Sequence, residues 1–233
     1  ANGLASPLPF NYTMVFLSPP DDGELLQNRE WLDLVLTHEL FHIVHLDKAR
    51  GGPLNLRRVF GRLAFLFPNA LQPGWITEGL AVHAESDPGQ GYGRLSNAQF
   101  EGMMRAEASR GFRSLAEVNA EGRGFPLNRD YLYGSYFFLY LRSRYGQQVV
   151  DEFIERYSKN LVPFQLEETS KVTTGKTMDE LWFDYQAWLR ANACMHAMTR
   201  ENCAAALSFL HEALAIDPGF AQAMAAAAWC RVW

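Results

Sequence analysis

The segment from residue 28 to residue 46 is apolar on nearly every side of a predicted helix. Its hydrophobic positions are Trp31, Leu32, Leu34, Val35, Leu36, Leu40, Phe41, Ile43 and Val44. A helix that is hydrophobic all round is typical of a buried, central element. We expect Gly51-Gly52-Pro53 to end this helix, because glycine and proline interrupt helical structure.

Helical periodicity recurs along the chain as far as residue 193. The further helices that it predicts are 54–66, 75–85, 97–109, 131–144, 147–158, 163–170 and 177–193. Asn97 and Asp130 are the side chains expected to cap two of these helices at their N-termini. Gly146 is expected to separate the helix that precedes it from the one that follows.

One short strand is predicted over residues 12–17, with Ser18-Pro19-Pro20 closing it. A single strand is not stable alone. Its partners are therefore expected either upstream of residue 1 or in a segment that the pattern does not locate. The predicted fold class is α+β and mostly α-helical, with a small β element that would be truncated if its partners lie upstream.

The last forty positions, 194–233, are rich in alanine and differ in character from the rest of the chain. The spacing Ala206-x3-Leu210-x2-Ala213-x4-Pro218 resembles the second helix of a tetratricopeptide repeat, although an ordinary alanine-rich helical hairpin also fits it. Both interpretations divide the chain into a domain over 1–193 and a helical hairpin over 194–233. We expect the hairpin to be dispensable for the chemistry of the larger domain.

Composition excludes several classes of protein. Hydrophobic residues make up 48% and charged residues 20% of the chain, which is enough apolar material to build a core. A net charge of −5 without a basic run argues against a nucleic-acid partner. No apolar stretch approaches the roughly 20 residues of a membrane span. Cys194, Cys203 and Cys230 fit neither a disulfide framework nor a paired-cysteine metal site, and the compartment is left open.

The candidate chemistry begins with the string His38-Glu39-Leu40-Phe41-His42 inside the predicted core helix. A spacing of four residues places both imidazoles on one helix face, one turn apart, so both can reach one metal ion. Zinc accepts imidazole nitrogen in tetrahedral coordination. Glu39 is turned about 100° from His38 around the helix, so it can take a proton from a water molecule at the metal without being a ligand.

Glu78 is the expected third ligand, because it lies on a later helix next to small residues that allow close approach. Glu85, seven positions further along the same face, is expected either to accept a hydrogen bond from a ligand imidazole or to be a solvated helix end. His45 is too far along the helix axis to share the ion with His38. We expect His45 either to pack in the core or to contact a ligand side chain without binding the metal itself.

Together these motifs resemble the gluzincin zinc metallopeptidases. The matching residues are His38-Glu-x-x-His42 followed by Trp75-x-x-Glu78-Gly79-x-Ala81-x3-Glu85. The pattern is similar to the aminopeptidase N type, more distantly to thermolysin, and most closely to bacterial peptidase-MA-like domains. The resemblance covers residues 12–190. It implies that His38, His42 and Glu78 bind zinc and that Glu39 is the general base.

The aminopeptidase branch also implies a tyrosine that donates a hydrogen bond to the developing oxyanion. Its Tyr-x-x-Gly motif matches Tyr131-Leu-Tyr-Gly134, which makes Tyr131 the first candidate, with Tyr133 and Tyr136 as alternatives. The Gly-x-Met-Glu-Asn motif that binds a substrate amino terminus in that branch is missing from this sequence. Exopeptidase activity is therefore not expected.

The predicted function is zinc-dependent hydrolysis of peptides or proteins, or of small acyl substrates such as esters. The alternative is a scaffold protein in which the zinc site is structural or vestigial. In that case the C-terminal helices would provide the surface for a protein partner. Three protein ligands leave a coordination position open, which favours a catalytic site over a structural one.

Overall fold

The computed structural model describes residues 2–18, 30–87, 89–120, 124–126, 128–162, 165–195 and 200–230. Two short strands, β1 (Gly3–Ser6) and β2 (Tyr12–Val15), form an antiparallel hairpin in which Gly3 lies opposite Val15. The strand predicted over residues 12–17 is therefore shorter than expected. Its partner is the segment just before it in the same chain.

Helices account for most of the described residues. They are α1 (Trp31–Asp47), α2 (Gly51–Phe60), α3 (Gly74–Glu85), α4 (Ala98–Arg110), α5 (Leu115–Asn119), α6 (Arg129–Tyr145), α7 (Gln147–Tyr157), α8 (Leu166–Thr174), α9 (Met178–Met195), α10 (Arg200–Ile216) and α11 (Ala221–Cys230). Short 3-10 turns occur at Ala64–Leu66, Pro68–Leu71 and Arg94–Ser96. The predicted class, mostly helical with a small β element, is confirmed. None of the helices in these ranges is long and apolar enough to cross a membrane.

Several helix boundaries differ from the prediction. Helix α1 already ends at Asp47, so Gly51-Gly52-Pro53 does not end it but begins α2, which stops at Phe60. Proline is tolerated there because residues of the first turn need no backbone hydrogen-bond donor. The helix predicted over 163–170 is α8, which continues to Thr174 and is ended by Gly175. Of the residues assigned to predicted elements, 28–29, 163–164, 196–199 and 231–233 lie outside the described ranges.

The structure confirms one of the two predicted N-caps and not the other. The Asn97 side chain accepts hydrogen bonds from the backbone of Gln99 and Phe100, so the predicted cap of α4 is confirmed. Asp130 does not cap α6, because the helix already begins at Arg129. The short helix α5, absent from the prediction, starts with a capping box made by Ser114 and Glu117.

The main hydrophobic core lies between α3, α4, α6, α7 and α9 and is dominated by aromatic side chains. Its fully buried aromatic residues include Trp75, Phe100, Tyr133, Phe137, Phe138, Tyr140, Phe153 and Tyr185. Trp75 packs edge-on against Phe137, with ring centroids 5.2 Å apart. This core fixes the position of α3, the helix that carries Glu78 and Glu85.

Helices α3 and α6 approach each other closely where two glycines meet. A Cβ atom on Gly79 would lie 2.5 Å from the Cα of Gly134, and one on Gly134 would overlap the backbone oxygen of Trp75. Glycine is required at both positions, because any side chain would push the helices apart. The contact places Tyr131, one turn before Gly134, beside Glu78.

The C-terminal helices pack onto the same core. Ala206, Leu210 and Phe220 are buried, and the Phe220 ring meets that of Tyr140 at 6.4 Å. Arg144 on α6 pairs with Asp217 in the connection between α10 and α11. The boundary predicted between residues 193 and 194 falls inside α9, which runs through to Met195.

Candidate metal centre

Three ligand atoms from two helices converge at the face where α1 crosses α3. The Nε2 atoms of His38 and His42 lie 3.1 Å apart. Glu78 places its Oε2 atom 3.2 Å from the first nitrogen and 3.1 Å from the second. Both imidazoles are buried, whereas the Glu78 side chain is 23% exposed. The three atoms therefore form a triangle that is closed by protein on one side and open near Glu78.

The size of this triangle fits a small metal ion. Zinc binds imidazole nitrogen at about 2.0–2.1 Å, so two ligand atoms at tetrahedral angles lie about 3.3 Å apart. The observed separations of 3.1–3.2 Å agree with that spacing. His38, His42 and Glu78 could hold a metal ion together.

Without a metal, the Glu78 carboxylate and the His38 imidazole stabilise each other's charged forms. Burial would lower the pKa of His38, but hydrogen bonds with Glu78 and Glu85 outweigh burial and raise it. Burial would likewise raise the pKa of Glu78, but hydrogen bonds from His38 and His42 hold it well below its usual range. The anionic form of Glu78, which a cation requires, is therefore favoured.

Glu85 orients His38 from the far side of the ring. Its Oε2 atom lies 2.8 Å from Nδ1 of His38, and the residue is only 2% exposed. A proton on Nδ1 that is donated to Glu85 leaves the lone pair of Nε2 free to face the metal position. Glu85 therefore accepts a hydrogen bond from a ligand imidazole and is not a solvated helix end.

Arg94, which the sequence analysis did not single out, completes this buried chain of contacts. Its guanidinium donates to both oxygens of Glu85, from Nε at 2.6 Å and from Nη2 at 2.8 Å. Burial would raise the pKa of Glu85, but the charge and hydrogen bonds of Arg94 hold it below its usual range. An arginine in a predicted loop is usually a surface residue, so the sequence alone carries no signal for this role.

Glu39 lies on α1 next to the ligands without joining the triangle. Its side chain is 6% exposed and packs against the backbone of Gly3 in β1, where a Cβ atom would lie 2.6 Å from its Cγ. Burial raises the pKa of Glu39, while the imidazoles of His38 and His42 act in the opposite direction. The β-hairpin thus covers the carboxylate that the sequence analysis named as the base.

The three candidate tyrosines on α6 have different surroundings. Tyr131 stacks on His38, with ring centroids 5.9 Å apart and an interplanar angle of 14°. Burial and the neighbouring Glu78 carboxylate raise its pKa, so its hydroxyl stays protonated and can donate. Tyr133 instead donates to Glu107 at 2.7 Å, and Tyr136 stacks on Phe100. Of the three, only Tyr131 contacts a member of the triangle in the described structure.

His45 is buried one turn beyond His42, and it is not part of the ligand triangle. Its ring packs near Phe41, and its two nitrogens have no hydrogen-bond partner in the described part of the chain. Burial, reinforced by the charges of His42 and Lys48, lowers its pKa to about 3. The imidazole is therefore neutral at ordinary pH, and no direct contact joins it to a metal-ligand candidate.

Comparison with known proteins adds no relative to this picture. No family model matches the chain, and neither a curated protein sequence nor a solved structure matches it.

Proposed function

We propose that this protein is a zinc-dependent hydrolase, and more specifically a metallopeptidase of the gluzincin type. The observation that carries the proposal is a triangle of two imidazoles and one carboxylate with a separate buried carboxylate, Glu39, beside it. Among the described residues no hydrogen bond joins Glu39 to a ligand imidazole, so Glu39 does not orient a ligand as Glu85 does. Burying a carboxylate costs free energy, so an acid at this position favours a role in the chemistry of the site.

His38, His42 and Glu78 are the residues that would hold the ion. Two nitrogens and one oxygen suit zinc, and three protein ligands leave one position open, as in catalytic zinc sites. When bound there, zinc lowers the pKa of a coordinated water and polarises a carbonyl group. The 23% exposure of Glu78 supports access from that side of the triangle.

Glu39 is the proposed general base. Its raised pKa means that it binds a proton more readily than an exposed glutamate does, so it can take a proton from the attacking water. It would then deliver that proton to the leaving amine. The packing of Glu39 against Gly3 restricts the side chain to a position beside the ligands, which reduces the reorganisation needed before proton transfer.

Tyr131 is the proposed donor to the oxyanion that develops on the substrate carbonyl. Its position between His38 and Glu78 places a protonated hydroxyl at the edge of the triangle. A well-placed donor of this kind contributes a few kcal/mol, about 2.7–4, to stabilising the transition state. A peptide or protein is the proposed substrate, and a small ester would use the same groups.

The test is the Glu39→Gln variant, assayed on a library of fluorogenic peptides and esters with and without a chelator. Glutamine nearly preserves the shape of Glu39 but cannot accept the proton, so hydrolysis should fall by about 10²–10⁴ while the metal content is unchanged. Glu101→Gln is the matched control, because Glu101 pairs with Arg105 on a different helix, α4. Turnover by Glu39→Gln close to that of the wild type would contradict the assigned base. Bound zinc without any chelator-sensitive hydrolysis in the wild type would favour the scaffold alternative.

A further inference from the structure

We propose that Arg94 is a positioning residue of the metal centre, which holds Glu85 so that His38 presents Nε2 to the ion. The inference rests on the metal site of the proposed function, but not on the hydrolytic activity. It concerns how the chain prepares one ligand before any metal arrives.

The contacts form an unbroken buried chain from the guanidinium to the metal-binding nitrogen. Arg94 binds Glu85 through two parallel hydrogen bonds, and Glu85 Oε2 in turn lies 2.8 Å from Nδ1 of His38. Arg94 is 7% exposed, Glu85 2% and His38 5%. Nη2 of Arg94 and Nδ1 of His38 each lie 2.8 Å from Oε2 of Glu85, and the two nitrogens lie 2.9 Å from each other.

The bidentate contact matters because a single carboxylate can rotate about its terminal bonds. Two hydrogen bonds to a planar guanidinium fix the plane of the Glu85 carboxylate. The fixed Oε2 atom then selects the His38 tautomer that carries its proton on Nδ1. In that tautomer the lone pair is on Nε2, the atom that faces His42 and Glu78.

Backbone contacts also bring the loop that carries Arg94 close to Glu85. That loop returns to the end of α3 through backbone contacts: Asp87 pairs with Tyr92, and the Leu95 amide donates to Ser86 Oγ at 3.2 Å. Gly93 has φ 84° and lies so close to Ser86 that a Cβ atom would be 2.5 Å from its Cα. These contacts place residue 94 next to the end of α3, where Glu85 lies.

Arg94 also touches the second functional group of the site. Its guanidinium carbon lies 5.2 Å from the ring centroid of Tyr131, and that ring stacks on His38. The same side chain therefore borders both the ligand imidazole and the proposed oxyanion donor.

The first measurement is zinc affinity, determined by competition with a chromophoric chelator, for the wild type, Arg94→Met and Arg94→Lys. Loss of an outer-shell partner weakens metal binding by about 10–100-fold. We expect Arg94→Met to show that loss and Arg94→Lys to lie in between, because lysine keeps the charge without the two parallel bonds. Arg113→Met is the matched control, since Arg113 pairs with the buried Glu107 away from the ligands. Its affinity should equal that of the wild type.

The second measurement is a double-mutant cycle with Glu85→Gln. If Arg94 acts through Glu85, adding Arg94→Met to Glu85→Gln should weaken zinc binding little further. Fully additive losses would mean that Arg94 acts by another route and would overturn the inference. If Arg94→Met does not fold, Arg94→Lys takes its place in the cycle.

The third measurement needs no metal. Long-range proton–nitrogen NMR spectra of the metal-free protein at alkaline pH report which ring nitrogen of His38 carries the proton. We expect Nδ1–H in the wild type and a mixture of tautomers in Arg94→Met. Unchanged tautomer and unchanged zinc affinity in Arg94→Met would overturn the positioning role. A wild type that binds no zinc at His38, His42 and Glu78 would instead overturn the proposed function.

Discussion

Helix α1 buries two sets of histidine side chains, and they differ in what surrounds them. His38 and His42 meet the carboxylates of Glu78 and Glu85, which arrive from α3. His45, one turn further on, is 1% exposed and has no hydrogen-bond partner for its ring in the described residues. The same helix thus carries a site ready for a cation and a neutral imidazole that behaves as part of the core.

The described polar neighbours that act on the pKa of His45 include no carboxylate. Asn69 donates from Nδ2 to the backbone oxygen of His45 at 2.9 Å and so serves the end of the helix. The amide atoms of Gln72 are buried and, within the described ranges, also lack hydrogen-bond partners. A buried histidine is therefore not evidence of a metal site in itself. What distinguishes the first pair is a second element that delivers anionic oxygens to the same point.

The sharpest test of this difference is zinc affinity in His42→Ala and His45→Ala. Removing one of three ligands should weaken binding by more than the roughly 10–100-fold loss that follows from removing an outer-shell partner. His45→Ala should bind zinc as the wild type does, although a cavity costs it stability. Chelator competition on folded protein measures both. Similar losses in the two variants would mean that the two sets of histidines are not separate.

A second expected difference appears in acid. The pKa of His45 falls from 6.5 to about 3 on folding, so between these values the unfolded chain binds a proton that the folded protein does not. His45 therefore makes the protein less stable as the pH falls from about 6.5 towards 3. Between pH 6.5 and about pH 4.5 this amounts to about 2 kcal/mol, since the slope rises to about 1.4 kcal/mol per pH unit once the unfolded imidazole is fully protonated.

His45→Leu removes this penalty, so its free energy of unfolding should decline less than that of the wild type over the same range. Urea unfolding at several pH values gives the comparison. The other acid-sensitive groups, such as Glu78 and His83, are present in both proteins and cancel in the difference. If the free energy of unfolding declined equally in the two proteins as the pH fell, His45 would not be held neutral by burial.

The smallest effects concern the glycine contact that holds α3 and α6 together. Gly134→Ala should cost about 1–3 kcal/mol or more, because the new methyl group meets the backbone of Trp75, which cannot move aside cheaply. It should also weaken zinc binding by shifting α3, whereas it should leave the surroundings of His45 unchanged. Gly102→Ala is the control, since no atom lies within 4 Å of its Cβ position.

Alanine at position 102 should stabilise α4 by about 0.5–1 kcal/mol. Thermal melts and chelator competition on the two variants check the pair. A Gly134→Ala protein as stable as Gly102→Ala would show that the helices tolerate a wider separation.

Helical periodicity and side-chain spacing were enough to predict the mostly helical class and the placing of His38, His42 and Glu78 on two helices. The reason is local: residues four apart on a helix share a face whatever the rest of the chain does. The N-cap at Asn97 was predictable on the same local grounds. The small residues next to Glu78 likewise predicted that its helix would pack closely against another helix.

The remaining features depend on contacts between distant segments. Nothing in the sequence near Arg94 indicates that its loop folds back onto Glu85, because that return depends on packing between Gly93 and Ser86. The strand β1 is four residues long and has little alternating pattern, so its pairing with β2 was not foreseeable. Asp130 resembles a cap in the sequence, but the helix begins at Arg129, directly after Asn128 in a left-handed conformation.

The separation of the ligands along the chain has a thermodynamic consequence. His42 and Glu78 are 36 residues apart, so an ion shared between them would act as a removable cross-link between α1 and α3. Any ligand that binds only the folded form stabilises it by mass action, by about 2.7 kcal/mol at a concentration 100 times its dissociation constant. The melting temperature of this protein would then depend on the free zinc concentration. The folded form would be more stable in a zinc-rich medium than in a zinc-depleted one.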